Sequence, residues 1–406
     1  MFGKNKITGM ILSRQPIALM AVVFLVFFII IANNIFVHDE ASSDFVIRSL
    51  IQGNINLNNL THLKEYCDFS IFQENVYSPF GIGFYLTLIP FWLIFPPIIF
   101  QGVAAIFFLV LALIALYKIT RKIGLDENKS LWLLFFLISG TVVLPLAAMA
   151  NSIPPFAIQI ISFGYLTFSL AEYFHKKRFW LIGIFLTLAF LCRSTLLLAS
   201  IFFILQILSE KNSAKQKIKN LSLLGFPILI GLIVFGYYNL IRFDSIFETG
   251  YQYQNVIKQN YGDAKLLGLE NIFNNLYYFL IAPPTWLKGF PWFRPDGKGT
   301  GLIFMSPFLF LVLLAPLKNK NVWTSWITIL IMSIIPLMWL DSGQWQIGYR
   351  LAFDFYPFLF LIIFYFIEKN KLNKLNVAVL IYGSIATIAL FLNDLIFEIQ
   401  LTMGLR

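Results

Sequence analysis

The sequence predicts an all-α polytopic membrane protein, and two observations carry this prediction. Hydrophobic residues make up 59% of the 406 residues and charged residues only 12%, which is more apolar surface than a water-soluble fold hides. The apolar residues also form continuous runs of about 20 residues, whereas a membrane barrel needs alternating segments of about 10. In lipid, a helix satisfies the hydrogen bonds of its own backbone N–H and C=O groups. We therefore expect about 11 transmembrane helices in one membrane domain, residues 1–406.

The predicted helices follow the apolar runs in order. The runs fall at 17–37, 98–117, 131–149, 155–174, 179–192, 195–208, 221–238, 301–317, 322–340, 351–367 and 376–396. The stretch 179–208 is divided into two short helices because Arg193 at mid-bilayer would cost about 2.5 to 3.5 kcal/mol. The stretch 80–95 is short, contains Pro90 and ends at two further prolines, so we expect an interfacial or re-entrant helix there.

The positions of the basic residues predict the orientation. With the N-terminus in the cytoplasm, the inner loops hold 19 of the 30 Lys and Arg residues, as the positive-inside bias requires. This bias also explains the net charge of +10 without nucleic acid as a partner. The extracytoplasmic side then holds a first loop, 38–97, a second loop, 241–300, and a short loop, 341–350. Abundant Phe, Ile, Lys and Asn suggest a bacterium, which predicts the plasma (inner) membrane as the location.

An acidic cluster directly after the first run is the candidate catalytic group. Asp39 and Glu40 lie where a carboxylate can meet both lipid-borne and aqueous substrates, a suitable place for a general base. Asp44 is a weaker candidate for substrate binding. The alternative is that these acids only end the helix and fix its topology. A divalent metal held by Glu40 or Asp44 stays open, although the nearby His38 has no recognisable metal-ligand spacing.

Two arginines and a polar aromatic segment are the candidate substrate-binding groups. Arg193 and Arg350 lie near predicted outer helix ends, where a guanidinium can bind a lipid phosphate through two hydrogen bonds. The alternatives are snorkelling or an ion pair with Asp354. The residues expected to contact a sugar, unless they form only an interfacial aromatic belt, are Tyr238, Asn239, Glu248 and Tyr251.

The order of these motifs resembles the GT-C superfamily of integral-membrane glycosyltransferases, which includes protein O-mannosyltransferases and bacterial lipid A aminoarabinose transferases. The matching segments, spread over most of the chain, are 38–40 with 48–53, 77–81 with 88–90, 191–194, 238–251 and 348–350 with Pro357. The resemblance implies a GT-C-like fold with juxtamembrane helices in the first loop. It also implies that Asp39 is the base and that Arg193 and Arg350 face the phosphate of a polyprenyl-phosphate sugar.

The resemblance therefore predicts transfer of a sugar from a polyprenyl-phosphate donor to a hydroxyl acceptor on the extracytoplasmic face, among membrane lipids. Two positions depart from the family pattern, since Ser43 replaces a frequent Tyr and Ser78 replaces a frequent basic residue. Two other functions stay open. A transporter or lipid flippase would use ionisable residues along a pathway, and a surface-polysaccharide polymerase or ligase would place its essential residues in the second loop.

Overall fold

The computed structural model describes residues 15–35, 42–58, 68–343, 346–370 and 373–402. The predicted residues His38, Asp39 and Glu40 lie outside these ranges. The α-helices, in chain order, are α1 (Gln15–Ile35), α2 (Ser42–Ile51), α3 (Ile82–Trp92), α4 (Phe100–Ile123), α5 (Glu127–Ser139), α6 (Val143–Ala148), α7 (Pro154–His175), α8 (Phe179–Cys192), α9 (Ser200–Leu208), α10 (Ala214–Phe243), α11 (Asn255–Tyr261), α12 (Ile272–Leu280), α13 (Leu302–Met305), α14 (Lys320–Met338), α15 (Tyr356–Lys369) and α16 (Lys374–Thr402). Within the described residues, five short 3₁₀ helices lie at Ser194–Ala199, Tyr251–Tyr253, Leu269–Asn271, Pro307–Leu314 and Arg350–Phe355.

The protein is a mostly helical membrane protein. Within the described residues, six helices are long and apolar enough to cross a bilayer: Phe100–Ile123, Pro154–His175, Ala214–Phe243, Lys320–Met338, Arg350–Lys369 and Lys374–Leu401. Each coincides with one of the predicted runs. Four shorter apolar helices occupy Ile17–Ala32, Ile82–Trp92, Phe179–Cys192 and Ser194–Leu208.

Two predicted spans are interrupted helices instead. The run 131–149 is divided into α5 and α6 after Ser139, and the run 301–317 contains only the four-residue α13 and a 3₁₀ helix. The two interruptions contact each other, because Ser306 Oγ donates a hydrogen bond of 2.6 Å to the Gly140 carbonyl and a Cβ atom on Gly140 would lie 2.8 Å from the Phe308 ring. The hydroxyl satisfies a carbonyl at the helix end, so the break is stable in an apolar core.

The stretch 80–95 contains the helix α3, whose interfacial or re-entrant position stays a prediction, and its glycines allow a close helix contact. A Cβ atom on Gly81 would lie 2.0 Å from the Leu191 carbonyl oxygen, and one on Gly83 would lie 2.6 Å from the Leu191 Cβ. Only a residue without a side chain can bring the start of α3 this near the end of α8. This contact places α3 beside Arg193, where α8 ends.

The core contains a row of side-by-side helices and one almost wholly buried helix. Helices α4, α7, α8 and α10 pack in that order, each against the next. In α15, nearly all side chains from Tyr356 to Ile367 are buried. By contrast, α10 exposes Phe226, Leu229 and Ile233, whose spacing of three and four residues places an apolar stripe on the outside, as a lipid-facing helix requires.

The mostly helical structure is consistent with the predicted all-α class, and within the described residues three small sheets lie among the loops. Strands β1 (Ser70–Phe72) and β2 (Asn75–Tyr77) are antiparallel, as are β3 (Thr285–Trp286) and β4 (Phe293–Arg294). Strands β5 (Lys298–Thr300) and β6 (Gln346–Gly348) are parallel, with Lys298 opposite Gln346. Hydropathy did not reveal these strands because each is only two or three residues long, and the β5–β6 pair also joins segments far apart in the chain.

Candidate functional site

The predicted first and second outer loops come together in the structure. Ser70 on β1 pairs with Gln254, and its Oγ donates a hydrogen bond of 2.7 Å to the Gly250 carbonyl. Gln254 Nε2 donates to the Asp68 carbonyl at 3.1 Å. These bonds, between residues about 180 positions apart, hold Tyr251 beside the start of the β1–β2 hairpin.

The short loop before Arg350 is held against the second loop by the parallel β5–β6 pair. Gln346 on β6 donates from Nε2 to the Ser342 carbonyl at 2.8 Å, and its Oε1 accepts from the Arg350 backbone N–H at 3.1 Å. Gln159 of α7 donates to the Arg350 carbonyl at 2.8 Å. The backbone of Arg350 is therefore fixed on both sides, which orients its side chain.

Arg193 is bound in an ion pair with Asp354. Its Nε lies 2.7 Å from Asp354 Oδ1 and its Nη2 lies 3.1 Å from Oδ2, the two-bond geometry that guanidinium and carboxylate favour. Thr195 Oγ1 also donates to Asp354 Oδ2. The pair is largely buried, with 16% of the Arg193 side chain and 3% of the Asp354 side chain exposed. The sequence analysis named an ion pair with Asp354 as an alternative for either arginine, and in the structure Arg193 forms this pair.

Arg350 is half-buried and forms no ion pair with any described carboxylate. Its guanidinium lies 5.5 Å from the centre of the Phe156 ring, and its buried Nε has no hydrogen-bond partner within the described ranges. A buried guanidinium with an open donor is costly unless a ligand or another group meets it. Arg350 is therefore the better placed of the two predicted arginines to bind an anion.

Two further polar groups, Tyr251 and Asp68, interact electrostatically with these arginines. The Tyr251 hydroxyl interacts electrostatically with Arg193, Arg350, Asp354 and Asp68, and these five residues form what we call the charged cluster. Burial raises the pKa of Tyr251 above its ordinary value of 10.0, although both arginines oppose this. Tyr251 therefore stays protonated at neutral pH and can donate a hydrogen bond.

Asp68 is the member of the charged cluster that the sequence did not suggest as a site residue. Burial raises its pKa above the ordinary value of 3.8, and the positive charge of Arg350 partly offsets this. Its carboxylate thus lies near Arg350 without forming a direct ion pair in the described structure. No local pattern marks Asp68, because its neighbours come from the second loop and from the start of α15.

A second polar group surrounds Arg242 near the end of α10. Arg242 is buried, stacks on the Tyr238 ring at 3.7 Å and donates from Nη2 to Asn239 Oδ1 at 2.8 Å. Its Nη1 donates to the Ser78 carbonyl, and the Ser78 hydroxyl shares a hydrogen bond with Tyr85 of α3. The predicted sugar contacts Tyr238 and Asn239 are thus buried partners of Arg242, and their contact with a substrate stays a prediction.

The structure gives Asp44 and Glu248 protein partners as well. Asp44 accepts hydrogen bonds from Arg48 Nε of the same helix at 2.8 Å and from Trp92 Nε1 at 2.6 Å, and the second bond ties α2 to the end of α3. Glu248 accepts from the Gly250 backbone N–H at 2.7 Å and from Gln252, which orders the turn before Tyr251. Within the described part of the chain, no three His, Cys, Asp or Glu residues come together as metal ligands.

The charged cluster can bind an anion at the end of a membrane helix. No family model, curated protein or solved structure matches this chain. The side chains of the charged cluster are therefore what supports a function. They include the Arg350 guanidinium with its unpartnered Nε, the protonated Tyr251 phenol, and the Asp68 carboxyl group, whose pKa depends on the charge of Arg350.

Proposed function

We propose that this protein is a glycosyltransferase of the GT-C type, with about eleven membrane segments and its N-terminus in the cytoplasm of a plasma membrane. It moves a sugar from a polyprenyl-phosphate donor to a hydroxyl of a lipid, glycan or protein on the extracytoplasmic face. The observation that carries the proposal is Arg350, a guanidinium fixed at the start of a membrane helix without an ion-pair partner among the described carboxylates. A phosphate at the membrane surface is the ligand that such a group fits.

In the proposed reaction, Asp39 removes the proton from the acceptor hydroxyl. The acceptor oxygen then bonds to the anomeric carbon while the bond from that carbon to the phosphate oxygen breaks. The electron pair leaves with the lipid phosphate, whose charge Arg350 and the Tyr251 hydroxyl stabilise. A single displacement of this kind inverts the anomeric configuration. Glu40 assists the base or holds a divalent metal.

Arg242 lies next to a position at which the sequence departs from the family pattern, and its positive charge supports the proposal. The family often has a basic residue just before the proline that starts the juxtamembrane helix, where this chain has Ser78. The Arg242 guanidinium donates to the Ser78 carbonyl, so a positive charge from α10 occupies the neighbourhood of that residue. In this proposal, Arg242 holds the first loop in place and keeps the region positive.

The test is transfer of radiolabelled sugar from a panel of polyprenyl-phosphate donors by the purified protein in liposomes. We expect transfer by the wild type and its loss in Asp39→Asn and in Arg350→Gln. Lys265→Gln is the matched control, because it also removes one positive charge, from an exposed residue of the second loop. A wild type that transfers no sugar but moves labelled lipid across the bilayer would contradict the proposal and favour a flippase.

A further inference from the structure

The second loop carries an exposed apolar stripe along α12 and its flanks. Leu269, Phe273, Tyr277 and Ile281 are spaced four residues apart, so they lie on one side of the helix. Their exposed fractions are 69%, 84%, 45% and 51%. Exposed apolar side chains in such a row mark an interaction surface.

The β3–β4 hairpin, which follows four residues later, exposes further aromatic residues. Trp286, Phe290 and Trp292 are 74%, 50% and 60% exposed. Trp292 has a positive φ of 64°, a conformation that is unfavourable for a bulky L-residue. The backbone is therefore strained where it presents an indole to the outside.

The end of one membrane helix fixes the position of α12. Asn275, on the buried side of α12, donates hydrogen bonds of 2.9 Å and 2.8 Å to the carbonyls of Leu337 and Trp339 at the end of α14. A rise of about 1.5 Å per residue places Leu337 about 26 Å from Lys320, where α14 begins. Residues 321–340 contain no charge, and the hydrocarbon core is about 30 Å thick. Hence α12 lies at the membrane boundary opposite Lys320.

A second membrane helix, α16, fixes the position of the β3–β4 hairpin independently. Asn393 of α16 donates hydrogen bonds of 3.3 Å and 2.9 Å to the carbonyls of Pro291 and Phe293. The same rise places Asn393 about 28 Å from Lys374, where α16 begins, and residues 375–393 contain no charge. The hairpin therefore lies at a membrane boundary too.

From these two placements we infer that the α12 stripe and the hairpin form a platform that inserts into the interfacial region of one lipid leaflet. Trp and Tyr favour this depth, and an amphipathic helix there buries its apolar side about 5 to 10 Å into the headgroup boundary. Residues 271–295 contain no acid, and their two charges are Lys288 and Arg294, which suits anionic headgroups. The platform holds the second loop, including Tyr251, against the membrane, whatever reaction the protein performs.

The test is the depth of spin labels in anionic liposomes. Labels are placed at Phe273→Cys and Phe290→Cys after Cys67→Ser and Cys192→Ala, since the chain has two cysteines. Leu330→Cys, on the exposed side of α14, gives the value for hydrocarbon, and Asp263→Cys, on an exposed loop, gives the value for water. We expect oxygen collisions at 273 and 290 well above those at 263, and collisions with a water-soluble nickel complex between those at 263 and 330.

Two outcomes would overturn the platform. Labels at 273 and 290 that meet the nickel complex as freely as the label at 263 would place it in water. Labels shielded from both oxygen and nickel would show that protein, such as a second copy of the chain, covers it. A second measurement needs no cysteine substitution: lipid brominated near the headgroup should quench wild-type fluorescence more than that of Trp286→Phe with Trp292→Phe.

Discussion

Arg193 and Arg350 belong to the same charged cluster but have different partners. Arg193 donates two hydrogen bonds to the buried Asp354, so the positive charge of Arg193 is largely neutralised within the protein. Arg350 has an open Nε and no described ion pair, so its charge remains for a ligand. The sequence predicted both as phosphate-binding residues, and only tertiary contacts distinguish them.

This difference predicts opposite effects of two similar substitutions. Arg193→Ala leaves Asp354 buried and unpaired, which should lower the free energy of unfolding by about 3 to 5 kcal/mol. Arg350→Ala leaves no described carboxylate without its partner, so it should alter the melting temperature little while it abolishes sugar transfer. Tryptophan-fluorescence melting in detergent, combined with the transfer assay, measures both effects. Equal destabilisation by the two substitutions would show that Arg350 is also a structural residue.

Asp68 predicts how pH affects phosphate binding. As pH rises through its pKa, which burial raises above 3.8, Asp68 becomes negative beside Arg350 and opposes an incoming phosphate. Asp68→Asn should therefore strengthen binding of a polyprenyl phosphate severalfold at neutral pH, on the order of 1 kcal/mol, and less at low pH. The measurement is the ratio of wild-type to variant affinity across pH, since the ratio removes the ionisation of the phosphate itself. A ratio that stays constant would contradict this role.

At the scale of elements, hydropathy predicted the long helices well and their interruptions poorly. The runs at 98–117 and 155–174 became single helices because continuous apolar residues suffice to define them. The runs at 131–149 and 301–317 are broken where Gly140 meets Ser306 and Phe308. Such a break depends on a partner far away in the sequence, so periodicity cannot show it.

The close contact between α3 and α8 predicts a strong effect of one small substitution. Gly81→Ala would place a Cβ atom 2.0 Å from the Leu191 carbonyl oxygen, and such overpacking costs roughly 1 to 3 kcal/mol. We expect a lower melting temperature and reduced transfer, because the same contact lies next to Arg193. Gly225→Ala on α10 is the control, since no atom lies within 4 Å of its added Cβ. An equal melting temperature for both variants would show that α3 can shift freely.

At the scale of the whole molecule, the site is assembled from segments far apart in the chain. The first loop contributes Asp68, the second contributes Tyr251, and the turns after α8 and before α15 contribute the two arginines and Asp354. The sequence predicted most of these residues because charges near helix ends stand out in an apolar chain. It could not predict Asp68, or the bond between Arg242 and Ser78, because both depend on how the loops fold together.

The most direct measurement of the central claim is binding of a short-chain polyprenyl phosphate to the purified protein. The matched ligand is the same polyprenol without its phosphate. We predict that the wild type binds the phosphate preferentially and that Arg350→Gln loses about ten- to a hundredfold in affinity, as expected for about 1.5 to 3 kcal/mol from a charged hydrogen bond. Equal binding of phosphate and polyprenol, or unchanged affinity in Arg350→Gln, would contradict the proposed lipid-phosphate site.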